Sequence, residues 1–466
     1  MAASLPDAVF KAYDIRGTVP DQLNPDFARC LGLALAHRAR AQGVKTIVTG
    51  YDGRHSSPSL LTALQDGLHA GGIDTLNVGM APTPLVYFGA YTHAPAQGTG
   101  SGVVVTGSHN PPNYNGFKMM LAGETLHGAS IQQLKGLMQT LHSAPVGIAP
   151  GTCTPLDAAT AYVARITQDV SLARPMHIAV DCGNGVGGVL AARLFRALGC
   201  TVDELYCAVD GDFPHHHPDP ADPHNLQDLI SHVRDSDCAL GLAFDGDADR
   251  LGVVTKSGQI IWPDRQLILY ARDVLSRQPG AMILFDVKCS RHVAEAIAHA
   301  GGTPVMCQTG HSMVKAKLRE TGAALAGEMS GHIFFQERWL GFDDGLYTGA
   351  RLLEILSRVD DPSAVLEALP QDISTPELKL EMREGEPHAL VRRLQREGRF
   401  DTALKCHTID GVRAEYADGF GLARASNTTP VVVLRFEAQT QQALARIQQE
   451  FRQALLALVP EAELPF

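Results

Sequence analysis

The chain has 466 residues, enough at ordinary domain size for about three cores, which excludes a single small module. Its 45% hydrophobic and 19% charged residues match folded globular proteins and exclude a disordered chain. With 39 basic against 50 acidic residues the net charge is −11 and the pI about 5.9, which argues against a nucleic-acid backbone as main partner, so any anionic ligand needs its own pocket. No stretch approaches the ~20 apolar residues that span a bilayer, and the opening MAASLPDAVFKAYD lacks a signal peptide's basic start and apolar core, so a cytoplasmic protein without a membrane partner is expected. The nine cysteines are scattered, never spaced C-x-x-C, and read as reduced thiols.

In chain order, a strand–helix–strand pattern occurs three times. Each copy opens on an apolar run ending in Asp: TIVTGYDGR around Asp52, HIAVDCGNG around Asp181, MILFDVKCS around Asp286. After a helical stretch, a small-residue turn enters a second apolar run: AGGIDTLNVG from Ala70, ALGCTVDELYC from Ala197, AGGTPVMCQTG from Ala300. A third run then breaks into a polar loop, at Ser108, Asp245 and Glu328 respectively. Crossover handedness puts such loops on one rim, so the three are expected to face a common space. After about residue 372 the pattern changes to a smaller α+β unit with a strand PVVVLRFEA and a final helix from about Thr440, whose Leu444, Ile447, Phe451, Leu455 and Leu458 form one apolar stripe before Pro460. The expected domains are 1–150, 151–257, 258–372 and 373–466.

The loops carry the chemistry. TGSHNPPNYNGFK, 106–118, exposes Ser108 in a Gly/Asn/Pro-rich turn, with His109 and Lys118 able to ease negative charge there and move its proton; the bland alternative is an ordinary turn. DGDADR, 245–250, sets Asp245, Asp247 and Asp249 at alternating positions; such carboxylates repel unless a cation sits among them, and oxygen ligands favour Mg²⁺ or Ca²⁺. It is not an EF-hand, because Arg250 and Lys256 stand where that template needs Gly and Glu. Arg250 suits a phosphate oxygen beside the metal. GEMSGH, 327–332, offers Glu328 and Ser330 to vicinal hydroxyls and His332 to an oxyanion or a proton. RASNTTP, 424–430, offers Arg424, Ser426, Asn427 and Thr428 to a phosphate. The triple histidine HHHPDP, 215–220, is discounted as a metal site, since adjacent histidines diverge and no Cys or carboxylate stands at zinc spacing; it reads as a structured surface loop.

Taken in order, KAYDIRG (Lys11 to Gly17), TGSHNPPNYNGFK, DGDADR, GEMSGH and RASNTTP resemble the signature loops of the α-D-phosphohexomutase superfamily, over nearly the whole chain. The serine loop TGSHNPP and Met329 in the sugar loop are most similar to its bacterial phosphomannomutase/phosphoglucomutase branch. The resemblance implies three similar mixed-sheet α/β domains plus a smaller C-terminal α+β domain around a central cleft. It implies a phosphoserine at Ser108, with Mg²⁺ held by Asp245, Asp247, Asp249 and a phosphoserine oxygen. Glu328 and Ser330 would hold sugar hydroxyls, and Arg424, Ser426, Asn427 and Thr428 the idle phosphate. Tyr13 and Arg16 match the N-terminal motif, Lys288, Gly310 and His311 match further substrate-contacting segments, and Lys118 and His332 are the proton-transfer candidates.

The implied reaction is reversible conversion of mannose or glucose 1-phosphate to the 6-phosphate, with hexose 1,6-bisphosphate as intermediate and activator, in what is expected to be a monomer. Arg16, Arg250 and the metal would stabilise the transferring group. Water exclusion requires the C-terminal domain to close over substrate, and the cleft is expected to be positive. Two rivals stay open at this point: a metal-dependent phosphatase with Asp245 as nucleophile, and a non-catalytic sugar-phosphate sensor.

Overall fold

The computed structural model describes residues 5–93, 100–141, 147–427 and 429–466. One sheet plan recurs three times along them. In the first copy Thr46–Tyr51 lies between Asp74–Met80 and Gly102–Val105, parallel to both, and Gly102–Val105 pairs antiparallel with Tyr114–Leu121. In the second, His177–Asp181 lies between Thr201–Leu205 and Leu240–Phe244, which pairs antiparallel with Leu251–Thr255. In the third, Met282–Asp286 lies between Thr303–Cys307 and Leu325–Gly327, which pairs antiparallel with Ile333–Phe335. The three apolar runs of each repeat are therefore the parallel strands, with the first run central and buried, as a strand covered on both faces must be.

The fourth, antiparallel strand of each copy escaped the sequence reading. It changes the meaning of the loops. Each chemistry-bearing loop is the reversal between a parallel strand and its antiparallel neighbour, so Ser108, Asp245 and Glu328 stand at the corresponding place in three separate sheets. Lys118, read as loop, lies within the strand Tyr114–Leu121 instead. The first sheet also gains Ile15–Thr18, antiparallel to Tyr114–Leu121, which brings Arg16 opposite Gly116.

The last unit is an antiparallel sheet in which Val431–Ala438, Gly419–Ala425 and Val412–Tyr416 form the centre, packed by the helices Glu386–Glu397 and Gln441–Leu458. Thr440 caps the final helix by accepting from the Ala443 amide at 3.1 Å, and Leu444, Ile447, Phe451 and Leu455 are buried along the expected stripe. One apolar core runs through the first three units, from Val104 and Tyr162 through Phe195 and Leu242 to Ile283 and Leu353. The last unit has its own core, and its apolar link to the rest is the small cluster Val287, Phe420 and Leu422. Its other ties are polar: Arg413 Nη1 donates to the carbonyls of Val287 and Cys289 at 2.6 Å each, and Lys288 pairs with Glu377 at 2.7 Å. No described helix is long and apolar enough to cross a membrane.

Candidate active site

Ser108 is almost fully buried and holds φ +49°, a left-handed conformation uncommon for a residue with a side chain. Arg54, equally buried, enforces it. Its guanidinium donates to the carbonyls of Pro111, Tyr114, Ser108 and Asn110 at 2.5–3.0 Å, while Asp52 anchors Arg54 and accepts from the Gly107 amide at 3.0 Å. The Ser108 hydroxyl then donates to Asp245 Oδ2 at 3.3 Å and lies 3.3 Å from His109 Nδ1. Burial, with Arg250 and Arg16 adding to it, pushes His109 well below the ordinary imidazole value and keeps the ring neutral.

Asp245, Asp247 and Asp249 are fully buried and offer oxygens within 4.8 Å of one another. Lys118 Nζ lies 2.7 Å from Asp247 and 2.5 Å from Asp249, and Thr83 Oγ1 donates to Asp247 at 2.5 Å. Burial would lower the Lys118 pKa, yet Asp247, Asp249 and Asp245 together raise it, so it stays an ammonium. Burial with the charges of Asp249 and Asp247 raises Asp245 well above the carboxylate range; for Asp247 burial is outweighed by Lys118, and the pKa falls. One ammonium does not satisfy three carboxylates: Asp247 Oδ1 and Asp249 Oδ1 are buried without a hydrogen-bond partner. Hard oxygens left open in a buried cluster fit a divalent cation.

Arg250 links this cluster to the third loop. Its backbone amide donates to Asp245 Oδ1 at 3.2 Å, and its Nε donates to His332 Nε2 at 3.0 Å, which makes that ring nitrogen an acceptor. His332 Nδ1 lies 3.3 Å from Asp343 Oδ2, and Asp343 also holds Lys315 at 2.7 Å and lies 3.4 Å from His311. The rings of His311 and His332 stack with centroids 5.6 Å apart. Burial, with Lys315 adding to it, pushes His311 well below the ordinary value.

A second group forms around Tyr13. Its hydroxyl donates to the Thr309 carbonyl at 2.7 Å and accepts from the Asn427 amide, while its ring leaves no room for a side chain at Gly310, whose φ is +132°. The Gly310 amide donates to Glu328 Oε1 at 2.5 Å; Glu328 Oε2 is buried and unpartnered, and burial raises this carboxyl to about 7. Ser330 is half-buried beside it. Arg424 pairs with Asp410 at 2.9 Å, Ser426 Oγ lies 3.0 Å from Thr429 Oγ1, and Thr428 lies outside the described residues.

The structure thus joins Ser108, His109, Lys118, the three aspartates, Arg250 and His332 directly, and joins Tyr13, Gly310, Glu328 and Asn427 as a second cluster. Lys288 and Arg424 instead face their own carboxylate partners, Glu377 and Asp410, and Arg16 pairs with Asp14 at 2.5 Å. The expected positive cleft is therefore lined by cations that already hold anionic partners. Sequence reasoning missed Arg54, Thr83 and Asp343, although YDGR, with its charged residues straight after an apolar strand, held a signal for the first. In HHHPDP, His215 Nδ1 lies 2.7 Å from Asn184 Oδ1, and His216 lies 3.1 Å from Asp181 by Nε2 and 3.0 Å from the His217 carbonyl by Nδ1, so these two rings are tied into a structured loop by different partners.

Residues of all four units thus meet, with a hydroxyl set against a carboxylate cluster open to a cation, and that combination defines the chain as a multidomain α/β enzyme of the phosphoryl-transfer class. Domain families described as phosphoglucomutase/phosphomannomutase, alpha/beta/alpha domains I, II and III match residues 7–144, 160–258 and 262–373, and the C-terminal domain of the same family matches 377–454. The chain is 54% identical to a phosphoglucomutase of Neisseria gonorrhoeae over 97% of each chain, and 50% identical to a phosphomannomutase/phosphoglucomutase of Pseudomonas aeruginosa over 100% of this chain and 99% of that one. A crystal structure of a phosphoglucomutase/phosphomannomutase family protein from Burkholderia thailandensis superposes with TM-score 0.94 at 56% identity, covering 99% of this chain and 100% of that one. The chain belongs to the phosphoglucomutase/phosphomannomutase family of the α-D-phosphohexomutase superfamily.

Proposed function

We propose that the chain is a hexose phosphate mutase that moves a phosphoryl group between O1 and O6 of glucose or mannose by way of a phosphoserine at Ser108 and a hexose 1,6-bisphosphate. The observation that carries this reading is the strained, clamped Ser108 hydroxyl, 3.3 Å from one carboxylate of a triplet that leaves buried oxygens open. In the first half-reaction the bond from phosphorus to Ser108 Oγ breaks as the bond to a free sugar hydroxyl oxygen forms; in the second, the bond from the other phosphorus to its sugar oxygen breaks as a new bond to Ser108 Oγ forms. Asp245, Asp247, Asp249 and a phosphoserine oxygen would hold Mg²⁺, which when bound supplies neutralisation of the transferring group.

The protein's own groups do the rest. Arg250 and Arg16 face the equatorial oxygens, and Lys118 delivers an ammonium to the same space. When Arg250 turns from His332 Nε2 to the transferring phosphate, that nitrogen is freed to exchange the attacking hydroxyl's proton, and Asp343, 3.3 Å from Nδ1, favours the charged ring. Glu328 and Ser330 take sugar hydroxyls; Tyr13, Lys288, Gly310, His311, Arg424, Ser426, Asn427 and Thr428 form the far end, where the idle phosphate sits. Hexose 1,6-bisphosphate restores the phosphoserine when it is lost and so acts as activator. The reading takes the chain as a monomeric cytoplasmic enzyme divided near 150, 257 and 372, with hexose phosphates and neither nucleic acid nor membrane as partners; the net charge of −11 supports the last point.

The test is turnover of glucose 1-phosphate and mannose 1-phosphate with Mg²⁺ and catalytic bisphosphate, alongside Ser108→Ala and mass spectrometry of the phosphorylated peptide. Wild-type turnover, a loss of roughly a thousandfold or more in the variant, and phosphate on Ser108 are expected. Phosphate on Asp245 would establish a phosphatase instead, and binding without turnover a sensor.

A further inference from the structure

Away from the cleft, at the other end of the second unit's parallel strands, four side chains with transition-metal chemistry converge. His177 opens the strand His177–Asp181, whose far end, roughly 13 Å away, faces the catalytic loops. In the neighbouring strand Thr201–Leu205, Asp203 stands opposite Ala179, on the same face as His177. The helix Gln227–Asp235 packs on that face and brings His232; Cys238 follows it, before Leu240–Phe244.

Contacts within the cluster are short. His177 Nε2 lies 2.8 Å from Asp203 Oδ1, His232 Nε2 lies 2.8 Å from Asp203 Oδ2, and the Cys238 thiol donates to Asp203 Oδ2 at 3.4 Å. Ligand atoms of His177, Asp203 and Cys238 all lie within 4.8 Å of one another. A tetrahedral zinc-sized ion with bonds of about 2.0–2.3 Å wants its ligand atoms roughly 3.3–3.8 Å apart, so His177 and Asp203 must open slightly from 2.8 Å, while the remaining spacings are 4.8 Å at most. The His177 and Asp203 side chains are 32% and 31% exposed while Cys238 is buried, which makes the cluster a dish open to solvent with the thiol at its floor.

We propose that His177, Asp203 and Cys238 form a second metal site, selective for a borderline transition-metal ion such as Zn²⁺, with His232 holding the carboxylate by its other oxygen and solvent in the fourth position. A nitrogen, oxygen and sulfur donor set favours such an ion, whereas the all-carboxylate triplet of the cleft suits a hard cation. Binding forms one metal–sulfur bond and breaks one S–H bond, that proton leaving to solvent; the proton that His177 Nε2 donates to Asp203 passes through solvent to Nδ1 as Nε2 takes the metal, so one proton is released in all.

The full-length protein, with excess Mg²⁺ filling the cleft, is titrated with Co²⁺. One equivalent per chain is expected to give a near-ultraviolet thiolate-to-cobalt band with visible d–d bands of a four-coordinate ion, to release one proton, and to be displaced by Zn²⁺. Cys238→Ala and His177→Ala are each expected to abolish the near-ultraviolet band, and His232→Gln to weaken Co²⁺ binding by about tenfold, with mutase turnover within twofold of wild type in all three. No such band in the wild type, or a band that survives Cys238→Ala through the exposed Cys153 or Cys406, overturns the site. Because the readout is cobalt absorbance, its failure is independent of whether the cleft turns over hexose phosphates.

Discussion

A Cβ placed on Gly246 would stand 2.3 Å from the carbonyl oxygen of Ser108, so the serine loop and the metal loop touch backbone to backbone. Gly246→Ala must part them, and with them Ser108 from Asp245. The expected result is a fall in kcat of roughly a hundredfold, as a misplacement near 1 Å gives, with a stability loss of about 1–3 kcal/mol from overpacking; steady-state kinetics and urea unfolding separate the two, and unchanged kcat would show that the contact does not set the geometry. Glu328 carries a pH dependence. Its carboxyl titrates at about 7 through burial, and sugar hydroxyls donate better to its ionised form. KM should therefore fall as pH rises through about 7 and level above it, and Glu328→Gln should raise KM and flatten the profile. The stability sign is opposite: a carboxyl raised in the folded chain contributes most below its ordinary value and loses that contribution as pH rises through about 7, so ligand binding and folding pull in different directions at this residue.

The helix Gly345–Leu356 shows how an element joins units that are far apart in sequence. Asp344 caps it by accepting from the Tyr347 amide at 2.9 Å, and the same carboxylate accepts from the Tyr162 hydroxyl at 2.8 Å and from Trp339 Nε1 at 3.2 Å. Asp344→Ala removes a cap and strands a buried phenol and indole, for a loss of about 3 kcal/mol or more in chemical denaturation; Asp344→Asn, which keeps an acceptor, should lose less than half of that, and equal losses would refute the cap as the cause. None of this was visible in the sequence, because Tyr162 and Asp344 are 182 residues apart. What was legible is what is local: three repeats of strand, helix and strand, and the residues that stand side by side in TGSHN, DGDADR and GEMSGH. The antiparallel fourth strands were hidden because each begins straight after a polar loop whose composition dominates the reading, and so Lys118 passed for loop. Arg54 and Thr83 were hidden for the other reason: their partners Ser108 and Asp247 lie 54 and 164 residues away, and Asp343 acts through His332, from a strand reversal that no spacing rule foretells.

Across the whole molecule, charge is arranged so that ligand must displace protein. Arg16, Lys118, Lys288 and Arg424 each hold a carboxylate, so a bisphosphate that takes these cations exchanges one anion for another. Two of these pairs involve the C-terminal unit, which among the described residues has a separate core, a small apolar bridge at Val287, Phe420 and Leu422, and polar ties through Arg413 and Arg435. Such a joint can move without opening a core, and polar partners re-form at little cost. Closure of this unit over substrate is therefore the expected response to hexose 1,6-bisphosphate, read as a smaller radius of gyration in solution scattering at saturating ligand; identical curves with and without it would refute closure. The exchange has its own signature. Glu377→Gln frees the buried Lys288 ammonium from its partly exposed 2.7 Å partner before ligand arrives, so calorimetry should show bisphosphate bound about threefold to fivefold tighter, with the gain shrinking as salt screens the freed charge. A dissociation constant that stays the same or rises would mean that Glu377 orients Lys288 for the phosphate, and that carboxylate and ligand act together at this joint.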